Sequence, residues 1–111
     1  MYTIEDLDIR LTRGDSAGLE LCFTGDDAPG AEDLVVLQVK KRPRDAAALL
    51  EKSAHPDAEH KALLSIAPED THGIPFGIYC WDVRIFYADG TVVTPMAPHR
   101  FDICEVVTDD R

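Results

Sequence analysis

Between Gly77 and Tyr87 the chain alternates without a break: Tyr79, Trp81, Val83, Ile85 and Tyr87 fall on one side, Cys80, Asp82 and Arg84 on the other. A helix turns every 3.6 residues and would scatter this set around its surface, whereas a strand repeats every two residues and gathers it on one face. A long central strand with one face in a core is the prediction, and a strand needs neighbours. Shorter alternating runs supply them: Leu7, Ile9 and Leu11; Leu19, Leu21 and Phe23; Val35, Leu37 and Val39; Ala62, Leu64 and Ile66; Val92 and Val93; Phe101, Ile103 and Val106. Short strands at regular spacing, parted by turn residues, are the mark of a sandwich or barrel. The expectation is an all-β, immunoglobulin-like antiparallel β-sandwich of about seven strands, in a single domain over residues 1–111. A chain of this size buries about two-thirds of its surface on folding, enough for a core without staples.

The residues between the runs give the connections. Arg13-Gly14-Asp15 reads as a turn between the first two strands, with Gly supplying a positive φ. Residues 25–33 are a loop by composition, and Pro68-Glu69-Asp70-Thr71 reads as one helical turn, since Pro suits the first helical position and acids the positive helix end. Asp89-Gly90 is the pair favoured by two-residue type I′ hairpins. Pro95 and Pro98 interrupt the return strand and suit an edge or a bulge. Residues 45–53 leave two readings open: a short helix capped by Asp45, or an edge strand from Leu49 to Ser53. Strand edges are therefore expected at Thr94–Pro98 and at Leu49–Ser53.

Strand parity also places the cysteines. If Leu19, Leu21 and Phe23 point inward, Cys22 points outward; if Tyr79 and Trp81 point inward, Cys80 points outward as well. Two outward cysteines on opposite sheets cannot meet through the core, and Cys22, Cys80 and Cys104 form neither an even set nor a CxxC pair. Free thiols are expected. In immunoglobulin domains a Tyr lies two residues before the second core Cys and its hydroxyl ties down the preceding corner. Here Tyr79 has that place and Trp81 stands where the Cys would be, its indole able to fill the disulfide's space.

Residues able to do chemistry are few. His55 and His60, with Asp57 and Glu59 between them, miss the spacing of HExxH and HxxEH, and Pro56 opposes the helix those motifs need. Ser16, Ser53 and Ser65 lie in no nucleophile motif. Cys80 with His72 or His99 would be the pair for a thiol enzyme, but nothing nearby favours a thiolate. The acidic pairs Asp26-Asp27, Glu69-Asp70 and Asp109-Asp110 fall in turns or the tail, with weak calcium binding as the sharper reading. Arg13-Gly14-Asp15 is also the integrin-recognition tripeptide, which works only at an exposed loop tip. No catalytic, cofactor-binding or metal-binding residue is assigned, and no enzymatic activity is expected.

Charge narrows the partners. Twenty-one acidic and eleven basic side chains give a net charge of -10, a field that repels nucleic-acid phosphates and anionic lipid. The exception is the run Lys40-Lys41-Arg42-Pro43-Arg44, which reads either as the wet end of a strand or as a docking point for an acidic neighbour, another copy of this chain included. The N-terminus has neither a basic nor an apolar signal region, so no signal peptide is expected.

Taken in order, Arg13-Gly14-Asp15, Val39-Lys40-Lys41, Ala67-Pro68-Glu69-Asp70-Thr71, Gly77-Ile78-Tyr79-Cys80-Trp81-Asp82-Val83-Arg84, Ala88-Asp89-Gly90-Thr91-Val92 and Phe101-Asp102-Ile103 resemble the small immunoglobulin-like structural proteins of bacteriophages and prophages. That group includes the N-terminal domain of upper baseplate proteins. The resemblance implies a non-enzymatic tail- or baseplate-associated structural or adaptor protein, with no cofactor and no catalytic residues to carry over. Its partners would be other virion or tail proteins, with a homo-oligomer as one option, and its place the bacterial cytoplasm during assembly and then the virion. The chain ends at Arg111, so no receptor-binding extension is expected after the sandwich. The alternative from another class is a bacterial immunoglobulin-like module binding a small ligand or peptide between loops; a cysteine- or metal-dependent enzyme ranks third.

Overall fold

The structure, a computed structural model, describes residues 8–105. Leu7, Val106 and Asp109-Asp110 lie outside them. Eight strands and one helical turn follow in order: β1 (Ile9–Thr12), β2 (Ala17–Cys22), β3 (Leu34–Lys40), β4 (Leu50–Ala54), β5 (Lys61–Ile66), α1 (Pro68–His72), β6 (Gly77–Phe86), β7 (Val92–Val93) and β8 (His99–Cys104). The larger sheet runs β1-β8-β6-β3-β4, with β7 also paired to β6, and the smaller is β2-β5. Together they make a compact, nearly all-β sandwich-like fold. Its connectivity is compatible with the immunoglobulin-like arrangement.

The long alternating stretch is the centre of the large sheet. β6 pairs antiparallel with β3 on one side, Val39 opposite Trp81 and Leu34 opposite Phe86, and with β8 on the other, Tyr79 opposite Phe101. Strict alternation follows because both neighbours fix the same pleat, so Trp81, Val83 and Ile85 are buried while Arg84 and Phe86 face out. Val35, Leu37 and Val39 continue that inner face, and Leu21, Ala62, Leu64 and Ile66 of the small sheet close over it. Trp81 is 2% exposed. Just before β6, the Tyr79 hydroxyl donates to the Pro75 carbonyl at 2.6 Å, which is the tie the tyrosine position anticipates.

Three connections differ from expectation, each for a local reason. β1 runs parallel to β8, Leu11 opposite Ile103, so the large sheet is mixed and not purely antiparallel. The Asp15 amide donates to the Thr12 carbonyl, and only Gly14, at φ 87°, is left-handed in that turn. This is the pattern of a type II turn, whose twist does not suit a hairpin. The chain therefore crosses to the other sheet, and β2 pairs with β5. At Asp89-Gly90 the Gly90 amide donates to the Tyr87 carbonyl and the Tyr87 amide to the Thr91 carbonyl. With Gly90 at φ 93° and Asp89 not left-handed, the loop holds three residues and closes on a bulge, in place of a two-residue type I′ turn. Lastly, the return strand is split. β7 pairs with Ile85 and Phe86, β8 with residues 77–81, and buried Pro95 and Met96 dip toward the core between them, which is why eight strands appear where about seven are expected.

Residues 45–53 resolve toward the strand. Leu50 is buried in register with Val39, and β4 forms one edge of the large sheet. Lys52 points to the core side of that edge and pairs with Asp70 of α1 at 2.8 Å. An inward charge of this kind hinders addition of a further strand.

Candidate interaction surfaces

The histidines serve loops. His55 Nδ1 lies 2.7 Å from the Asp33 carbonyl and His60 Nδ1 lies 2.9 Å from the Pro29 carbonyl. A carbonyl only accepts, so each ring donates from Nδ1, and both fasten the 55–60 loop to the 24–33 loop. His60 takes φ 62° to do so. Asp57 accepts from the Glu59 and Lys61 amides, and these bonds hold its carboxyl below the usual carboxylate range. The stretch that resembled a metal-ligand sequence is thus a loop clamp, and among the described residues no group of His, Cys, Asp and Glu converges as metal ligands.

Cys80 sits on the outer face of β6, opposite Arg100, while His99 is opposite Trp81 and so belongs to the other face. The Cys80 thiol donates to the Lys40 carbonyl at 3.3 Å. Burial, with Asp82 adding to it, pushes that thiol above its ordinary value, the reverse of what a nucleophile requires. Cys22 is exposed on the small sheet, and Cys80 and Cys104 are half-buried on the large one; all three are free. A thiol reagent added to the unfolded, unreduced protein is expected to count three thiols, and in the folded protein Cys22 reacts first. A count of one in the unfolded state would overturn the assignment of strand faces.

Arg13-Gly14-Asp15 is a structural turn. The Gly14 amide donates to Oγ1 of Thr71 at 2.9 Å, and Thr71 is fully buried. Of the acidic pairs, Asp70 reaches back to the Ala67 amide at 2.7 Å and forward to Lys52, and these partners, Lys52 first, hold its carboxyl below the usual range. Asp26 and Asp27 line, with Asp33 and Asp89, an open pocket of about 420 Å³ between the 24–33 and 87–91 loops. Asp33 builds that mouth: one carboxylate oxygen accepts from the Gly30 amide and the other from the Ala88 amide. The Tyr87 hydroxyl adds a bond to the Asp27 carbonyl.

At the opposite end of β3 the basic run stands on the 41–49 loop, with Lys41, Arg42 and Arg44 exposed. Beside it lies a shallow groove of about 610 Å³ lined by Lys41, Asp45, Ala46, Ala47, Leu49, Pro75 and Tyr79. Leu49, Phe76 and Ile78 are 46%, 57% and 63% exposed. Ile78 was legible as an outward position from the alternation of β6, but Leu49 and Phe76 sit in turns, where no periodicity marks a side as inner or outer. The apolar half of this patch was therefore missed. No protein-family model matches this sequence, and no curated protein matches it.

Proposed function

We propose that this chain is a non-enzymatic structural or adaptor subunit of a phage or prophage particle, associated with tail or baseplate, acting through protein contacts. The observation that carries the reading is how side chains are employed: the groups able to do chemistry, His55, His60, Asp33 and Cys80, are turned to holding loops and strands, while Leu49 and Phe76 stand exposed at the same end as the exposed Lys41, Arg42 and Arg44. Such surfaces suit protein partners. The ordered resemblance to small immunoglobulin-like virion proteins supplies the setting, bacterial cytoplasm first and particle afterwards, and the acidic surface disfavours nucleic acid and membrane as partners.

Proteomics of particles released after prophage induction is the test. The expected result is this chain in the purified tail-bearing fraction. Tail-bearing particles that form while the chain stays in the soluble cell fraction would overturn the proposal. The second reading, a binding module, is favoured by the pocket of about 420 Å³ between loops, whose carboxylates would select a cationic ligand; a ligand found there together with absence from particles would replace the first reading.

A further inference from the structure

Charge is sorted between the two ends of the sandwich. Leu34 faces Phe86, and Val35 faces Ala54, so the start of β3 and the ends of β4 and β6 share one end. Loops 23–33, 55–60 and 87–91 close that end. They hold seven carboxylates, among them Asp26, Glu32, Asp57 and Asp89, and neither Lys nor Arg. At the other end the 41–49 loop carries Lys41, Arg42 and Arg44 against Asp45, with Lys40 closing β3, while the neighbouring turn adds Arg13 and Asp15 and the end of β8 is followed by Glu105. None of Lys41, Arg42 and Arg44 makes an ion pair with another described residue. Nearby α1 carries Glu69 and Asp70, of which Asp70 is already matched by Lys52. The groove beside Lys41, with exposed Leu49 in its lining, and exposed Phe76 just before β6 complete the basic end, while Phe86 and Val92 are the exposed apolar residues of the acidic end.

The geometry points to head-to-tail association, in which the basic, apolar end of one copy receives the acidic loop end of the next. Two acidic ends repel each other, as do two basic ends, so opposite ends are the arrangement of ends that sets unlike charge face to face. The acidic loops are already fixed by the Asp33, Tyr87, His55 and His60 hydrogen bonds, which lowers the ordering cost of docking. A contact between different surfaces leaves one free end on each side, and so produces rings or filaments in place of a closed dimer. The inference rests on the reading of this chain as an assembly subunit for its setting. Its test uses the purified chain, so failure here and failure in the particle experiment are distinguishable.

The experiment is sedimentation of the full chain at several concentrations in about 0.1 M salt, where charges separated by more than about 10 Å are screened. Repulsion across the whole acidic molecule is damped under that condition, while facing ends still attract. Apparent mass is expected to rise with concentration beyond that of a dimer and to return to monomer in about 1 M salt, where the screening length is about 3 Å. Two variants separate the ends: Lys41→Gln/Arg42→Gln/Arg44→Gln, and Asp26→Asn/Glu32→Gln, which leaves Glu59 to its Lys61 partner. Each alone is expected to stay monomeric with an unchanged circular dichroism spectrum. Their equimolar mixture retains one intact junction and stops at a one-to-one dimer. A wild-type chain that stays monomeric, or stops at two copies, overturns the inference, as does either variant associating like the wild type.

Discussion

Replacing Trp81 with Ala is expected to cost about 3 to 5 kcal/mol, the range for deleting a large aromatic from a packed core. Trp81 is 2% exposed, and it meets Val39 across β3 and His99 across β8, so removing the indole opens a cavity that both neighbouring strands border. Domains of this kind are stable by about 5 to 15 kcal/mol. The variant therefore loses a large share of its stability, seen as a fall in thermal midpoint of roughly 10 to 30 °C. Ile78→Ala is the control. Its side chain is 63% exposed on the other face of the same strand, and its cost is expected within about 0.5 kcal/mol of zero. A Trp81→Ala cost below about 1 kcal/mol, or an Ile78→Ala cost above it, would mean that the two faces of β6 are exchanged.

The same strand shows why part of this fold could be read directly. β6 is paired on both sides, so each residue's face follows from its neighbour's, and Trp81, Cys80 and Ile78 fell where alternation put them. Parity on β2 worked in the same way for Leu21 and Cys22. The direction of β1 was not legible, because pairing with β8 rather than β2 depends on a crossing between sheets, which a local pattern does not encode. At Asp89-Gly90 a distant group decides. The Ala88 amide is taken by the Asp33 carboxylate and the Tyr87 hydroxyl by the Asp27 carbonyl, holding the hairpin in its wider, three-residue form. Residues 45–53 were ambiguous because three alanines favour a helix that so short a segment cannot sustain without packing, and burial of Leu50 beside Val39 settles Leu50–Ala54 as strand. The basic half of the proposed interface could be read as a run; its apolar half required knowing which turns come together.

Thr71→Val tests the other contact on which chain direction depends. Thr71 is fully buried in α1, and its Oγ1 accepts the Gly14 amide at 2.9 Å. That single bond pins the turn where the chain leaves the large sheet at Thr12 and enters the small one at Ala17. Valine has nearly the same shape, so the change creates no large cavity; what it removes is the acceptor, leaving a part-buried N–H without that partner, at a cost toward the lower part of about 1 to 3 kcal/mol. Thr71→Ser keeps the acceptor and loses one buried methyl, worth about 0.8 kcal/mol. Chemical denaturation of the three proteins should therefore rank them wild type, then Ser, then Val, and amide exchange at Gly14 should accelerate in the valine variant alone. Equal costs for Ser and Val would mean that Thr71 contributes only packing, and that the crossing between sheets is fixed by β1 pairing with β8 without help from the helical turn.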